Sequence, residues 1–128
     1  MKNKRVISLV LVMVILFAGA LNAKAATYYA FEFYLRSGET KSTNAVLKED
    51  NLTGLVVMTA SNLNGGAINF RIRTSYGAYA TEYVTLTGNA RRDLAYLPGM
   101  NIPGAAYRLY TNPDVIYNSM YARGYWAP

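Results

Sequence analysis

Neither cysteine nor histidine occurs anywhere in this 128-residue chain. Without cysteine there is no disulfide framework, no thiol nucleophile, no cysteine-ligated zinc and no cysteine-borne lipid anchor. Without histidine the Ser-His-Asp and Cys-His nucleophile systems fall away. So do the usual acid/base residue of neutral pH and nearly every zinc or copper site. Acidic residues are sparse as well, seven against 13 lysines and arginines, so the remaining acid/base chemistry rests on few carboxylates. No phosphate-cradling glycine loop is present, because Asn64-Gly65-Gly66 has neither the lysine nor a following helix. The residues call for no cofactor.

What the chain does have begins at its N-terminus. Lys2, Lys4 and Arg5 precede an apolar run from Val6 to Leu21, and Ala23-Lys24-Ala25 then places small residues at the two positions a signal peptidase reads. A charged n-region, an h-region and an A-x-A site in this order predict a signal helix over 1–25, cleaved before Ala26. An uncleaved membrane anchor is the competing reading. Spanning a bilayer takes roughly 20 apolar residues, and Gly19, Asn22 and Lys24 close this run early. The expected location is extracellular or cell-wall associated.

Removing the leader changes the electrostatics. Lys2, Lys4, Arg5 and Lys24 leave with it, and nine basic residues remain against seven acidic ones, a net charge of +2. A whole-chain pI near 9.6 suggests nucleic acid or an anionic surface; +2 does not. The remaining segment, 26–128, is long enough for one core and one domain. With no cysteine it must hold together by packing or by a bound ion.

That segment reads as strands and turns. Tyr29, Phe31, Phe33 and Leu35 alternate with Tyr28, Ala30, Glu32, Tyr34 and Arg36, a half-buried strand of period two. Thr40 to Val46 reads as a return strand. Leu55 to Ala60 and Ile68 to Arg73 flank Asn62-Leu63-Asn64-Gly65-Gly66, which predicts a hairpin because Asn and Gly tolerate positive φ. Ser75-Tyr76-Gly77 makes another turn before a strand over 78–87. Asn89 to Leu97 reads as one helical turn capped by Asn89 or as a loop. Pro98-Gly99 and Pro103-Gly104 mark turns, Tyr107 to Thr111 a strand, Asn112-Pro113-Asp114 a turn, and Ser119 to Trp126 the last strand. The fold class expected is all-β, a small antiparallel β-sandwich or barrel of six to seven strands behind the signal helix.

Candidate functional residues are mostly aromatic. Twelve tyrosines stand out. Tyr28 and Tyr34 fall on the polar face of the first strand, Tyr121 and Tyr125 share a face of the last, and Trp126 follows. Such rings can stack on sugars or wall polymers, while the plain alternative is that tyrosine fills half-buried strand positions. Arg71 and Arg73 lie on one side of a strand and Arg91-Arg92 forms a doublet. Beside tyrosines they could pair with single-stranded nucleic acid, but the low charge of an exported chain argues against that partner and favours weak attraction to wall polymers or a membrane surface. Arginines on strands also blunt edge-to-edge aggregation. Glu32 and Glu82 are the carboxylates a glycosidase would need, and two surface glutamates are the simpler account. Lys48-Glu49-Asp50-Asn51 gathers hard oxygen ligands near Glu49 and Asp50, but it is not an EF-hand and Lys48 opposes calcium, so a solvated loop is favoured.

The leader, Phe31-Glu32-Phe33, Phe70-Arg71-Ile72-Arg73 and the close Gly124-Tyr125-Trp126-Ala127-Pro128 resemble a family of short exported proteins of Gram-positive bacteria classed as a domain of unknown function. The resemblance implies export and a β-fold and adds no activity. In size, leader and lack of modification chemistry the chain is also similar to Sec-exported bacteriocins built as small β-sandwiches. Two functions follow: a non-enzymatic exported domain that binds an envelope polymer, glycan or membrane surface, or a bacteriocin-like toxin. Expressed with its leader in a Gram-positive host, the protein should accumulate with Ala26 as its first residue by N-terminal sequencing; a product that keeps Met1 would establish the anchored form instead.

Overall fold

The computed structural model describes residues 26–115 and 119–128. The predicted signal helix and the cleavage residues Ala23 and Ala25 lie outside them; Ala26 is the first described residue. All regular structure here is β: β1 (Tyr29–Leu35), β2 (Lys41–Ser42), β3 (Val46–Leu47), β4 (Gly54–Asn62), β5 (Ala67–Thr74), β6 (Val84–Leu86), β7 (Ala90–Leu94), β8 (Ala106–Val115) and β9 (Met120–Ala127). They form two antiparallel sheets. The first has the order β1-β9-β4-β7, the second β2-β8-β5-β6, with β3 also paired to β8.

The two-residue alternation decides which side chains meet between the sheets. Phe31, Phe33 and Leu35 of β1, Val56 and Met58 of β4, and Met120, Ala122 and Trp126 of β9 share one cluster with Ile68, Phe70 and Ile72 of β5 and Tyr107 and Leu109 of β8. The Phe31 and Phe70 rings, one from each sheet, have centroids 5.4 Å apart. Each fully buried large apolar side chain supplies about 1.5–3 kcal/mol, so this cluster is the main source of stability in a fold without disulfides.

Five local expectations are corrected. Asn64 and Gly65 do turn with positive φ, and the Gly66 amide donates to the Leu63 carbonyl at 2.8 Å. Yet β4 and β5 belong to different sheets, so the turn is a corner between layers and not a hairpin; Leu63 is buried at the bend. The return strand over 40–46 is two short pieces, β2 and β3, interrupted at Thr43, whose amide donates to Leu109. The strand expected over 78–87 narrows to β6, preceded by single bridges at Tyr79 and Thr81. Asn89 to Leu97 holds an edge strand, because β4 offers a free edge that pairs Val57 with Arg91 and Leu55 with Asp93. Asn89 pins its start, donating to the Thr59 carbonyl at 3.0 Å and accepting from Ser61 at 2.7 Å. Finally, Asn112-Pro113-Asp114 continues β8. Ala67 faces Val115 and Ile68 faces Pro113, which leaves Asp114 as the extra residue of a bulge, where a proline is tolerated.

Strand β9 passes between β1 and β4 and comes unusually close to the latter. A Cβ on Gly124 would lie 1.8 Å from the Val57 carbonyl oxygen, main-chain atoms with no freedom to move aside. Gly124→Ala should therefore cost about 3 kcal/mol or more, read as a lowered urea midpoint. Gly88→Ala, with open space around it, should stay within about 0.5 kcal/mol of the parent. Equal midpoints for the two variants would show that β9 can shift away from β4.

Candidate functional site

The alternation that buries Phe31, Phe33 and Trp126 turns the intervening residues of β1 and β9 outward. Three antiparallel pairs result: Tyr34 with Tyr121, Glu32 with Arg123, and Ala30 with Tyr125. The first and last pairs are four residues apart, roughly 13 Å along the strands. Tyr28 continues the β1 face just before the strand begins. Tyr34 is 61% exposed, Tyr125 50% and Tyr28 48%, so three of these rings are largely free for contact.

Polar groups are spaced between the rings. The Tyr34 and Tyr121 rings lie 4.8 Å apart, tilted by 40°, and the Tyr121 hydroxyl donates to a Glu32 carboxylate oxygen at 3.5 Å. The Glu32 charge, followed by the loss of some hydration and by Tyr121, raises the Tyr34 phenol above its ordinary pKa. Glu32 and Arg123 face each other, but neither belongs to an ion pair among the described residues. Between Tyr125, Arg123 and Glu32 lies an open depression of about 380 Å³ floored by Ala30 and Gly124 and bounded by Thr59. Thr59 projects there because the β4 register slips between Met58 and Ala60. Beyond the Tyr34–Tyr121 pair is a second depression of about 380 Å³, between Glu39, Lys41, Asn62 and Asn64.

Sequence-derived candidates divide among four places. Tyr28, Tyr34, Tyr121 and Tyr125 converge on this outer face. Trp126 does not join them. Being next to Tyr125 in a strand it points the opposite way, is 0% exposed, and packs 6.2 Å from Tyr29. Arg71 and Arg73 lie on the other sheet, on the outer side of β5, and Arg91 and Arg92 guard the β7 edge. Glu82 sits beside β6 of the second sheet, away from the face that carries Glu32. Arg123 was missed although it stands midway between Tyr121 and Tyr125, where period two alone assigns it to their face. Thr59 had no sequence signal, since its position depends on a bulge.

The segment read as a solvated acidic loop is anchored instead. Lys48 is 1% exposed. Its ammonium donates to the Leu52 carbonyl at 2.6 Å and the Pro128 carbonyl at 2.9 Å, meets an Asp50 carboxylate oxygen at 3.4 Å, and lies 4.7 Å from the Tyr96 ring centre. Burial lowers the lysine pKa, and Asp50 opposes that shift. The Asp50 carboxylate thus already faces a cation, the chain's own. Glu49 points elsewhere, accepting from the Thr27 hydroxyl at 3.3 Å.

No protein-family model matches the chain, and neither a curated protein nor a solved structure shows significant similarity to it. The site is therefore defined by its geometry.

Tyr96, beside Lys48, has a buried hydroxyl without a hydrogen-bond partner among the described residues. Burial first, then Tyr107 and Asp50, raise its pKa far above the ordinary 10.0. Above pH 10 the unfolded chain ionises this phenol while the folded chain holds it neutral. Its contribution is thus complete below pH 10 and is lost as pH rises toward the folded value. Tyr96→Phe should equal or exceed the parent at pH 7 by up to about 1 kcal/mol, with the margin widening at pH 10.5 in urea titrations. A phenylalanine variant that is less stable at pH 7 would reveal a partner for the hydroxyl.

Proposed function

We propose that the chain is an exported, non-enzymatic β-sandwich that holds a glycan of the cell envelope on the outer face of β1 and β9. The observation that carries this reading is the row of exposed tyrosines along β1 and β9, with Tyr125 at the edge of a depression whose rim also bears Glu32 and Arg123, neither of them in an ion pair among the described residues. A flat phenol ring covers the C–H face of a sugar with apolar area at little conformational cost. Glu32 accepts from sugar hydroxyls and Arg123 donates to ring and hydroxyl oxygens, both as charge-assisted hydrogen bonds.

Several features suit a polymer better than a small molecule. The depression is open, and a second one continues the same face past Tyr34 and Tyr121. An open site binds a single sugar weakly, because little of the ligand leaves water. On a polymer, adjacent contacts along one face add through effective concentration. The leader reading and the resemblance to short exported Gram-positive proteins support an envelope setting. The separation of Glu32 from Glu82 on different sheets favours binding over glycoside cleavage, which needs two carboxyl groups flanking one bond.

The purified protein should co-sediment with isolated Gram-positive cell walls in low salt and in 1 M salt alike, since ring stacking is not screened. Tyr125→Ala and Tyr34→Ala should each weaken retention about tenfold, equivalent to about 1.4 kcal/mol. Retention lost with salt, or protein left in the supernatant under both conditions, would overturn the proposal.

A further inference from the structure

The outer face of the second sheet carries a run of positive charge, and the carboxylate near it, Asp114, accepts from the Asn69 amide at 3.3 Å rather than from a guanidinium. The β5–β8 register sets Arg71 opposite Tyr110 and Arg73 opposite Arg108, on the side away from the buried Ile72–Leu109 pair. Three guanidiniums therefore share one face, two of them in directly opposed positions, where like charges destabilise a sheet. Neither of the ion pairs among the described residues involves them. Their hydrogen bonds go to main-chain carbonyls: Arg71 Nε to Thr81 at 3.2 Å and Arg108 Nη1 to Thr43 at 3.1 Å.

Tyrosine rings hold two of these groups rigid. The Arg71 guanidinium lies 3.7 Å from the Tyr79 ring centre and 3.8 Å from that of Tyr83; the Arg73 guanidinium lies 4.7 Å from Tyr79 and 3.7 Å from Tyr110. Stacking of this kind stabilises a cation through its faces and leaves the in-plane N–H edges as the groups that can bind. The Arg73 Nε is buried and has no acceptor among the described residues. The opposition of two like charges at Arg73 and Arg108 is a cost the fold retains, and an anion between their exposed edges would remove it.

We propose that this face binds a tetrahedral oxyanion of the phosphate class between Arg73 and Arg108, with the clamped Arg71 adding to the field from the neighbouring position. A phosphate fits better than a carboxylate because its additional oxygens engage more than one guanidinium fork. The site is on the opposite sheet from the tyrosine face and independent of the glycan reading. The phosphate can be free, borne by a soluble or wall polymer, or part of a lipid headgroup.

The test is thermal unfolding and isothermal titration of the purified protein with 0–10 mM inorganic phosphate, ionic strength held constant with sodium chloride. This range lies well below concentrations at which phosphate stabilises proteins generally by exclusion. A saturable rise in Tm is expected, with affinity lowered at least tenfold in Arg108→Gln and in Arg73→Gln and unchanged in Arg91→Gln and Tyr125→Ala. Arg108 is outside the ring stack, so its variant serves even if Arg73→Gln folds poorly. Vesicles then locate the phosphate. Retention on phosphatidylglycerol but not phosphatidylcholine, lost in Arg108→Gln, identifies a headgroup; phosphate binding without vesicle retention identifies a free or polymer-borne group. No phosphate-specific shift, or an equal shift in Arg108→Gln, would overturn the proposal.

Discussion

Strand β9 is held between β1 and β4, and its two faces answer to different demands. Inward, Met120, Ala122 and Trp126 close the core; outward, Tyr121, Arg123 and Tyr125 form the candidate binding row. The approach of Gly124 to the Val57 carbonyl fixes how closely this strand lies against its neighbour. It also leaves floor, rather than side chain, beneath the depression beside Tyr125. A one-residue slip of β9 would exchange the two faces, placing Arg123 in the core and Trp126 in water. Register here therefore determines stability and the site together, which makes slippage costly.

The remainder of the architecture compensates for what the composition denies. Of the nine strands among the described residues, only β5 and β6 are neighbours both in sequence and in a sheet; most other connections cross between layers. Such crossings tie the sheets together covalently where disulfides are absent. The Lys48 ammonium adds a second tie, joining the loop at Leu52 to the chain at Pro128 by hydrogen bonds to main-chain oxygens. A buried lysine is a poor source of net stability, but its donors satisfy carbonyls that would otherwise be unpaired. Exposed edges are managed by brevity and charge: β2 and β3 have two residues each, and β7 carries Arg91 and Arg92.

Elements whose information is local were legible in the sequence. The alternation in β1 named its buried and exposed sides correctly, and the Asn64-Gly65 turn follows from two residues that tolerate positive φ. What the sequence concealed depends on partners far along the chain. No local pattern shows that β4 and β5 sit in different sheets, or that Arg91 and Asp93 become a strand because β4 has an unpaired edge. Pro113 signalled a turn because a bulge opposite Ala67 and Ile68 cannot be read from one strand. For the sites, parity grouped Tyr28 with Tyr34 and Tyr121 with Tyr125, and it contained the outward Arg123 and inward Trp126 as well. The ring clamp on Arg71 and Arg73 could not be read, since Tyr79 and Tyr83 reach it from the connection between β5 and β6 and Tyr110 from β8.

The pairing of β1 with β9 also sets a timetable. Tyr29 lies opposite Trp126, almost the full described length away. A chain that emerges N-terminus first, from a ribosome or through a membrane, leaves the aromatic β1 without its neighbour until nearly everything else has appeared. Closing so long a loop before its contacts form makes folding slow. During that interval Phe31 and Phe33 are available to any passing strand or chaperone.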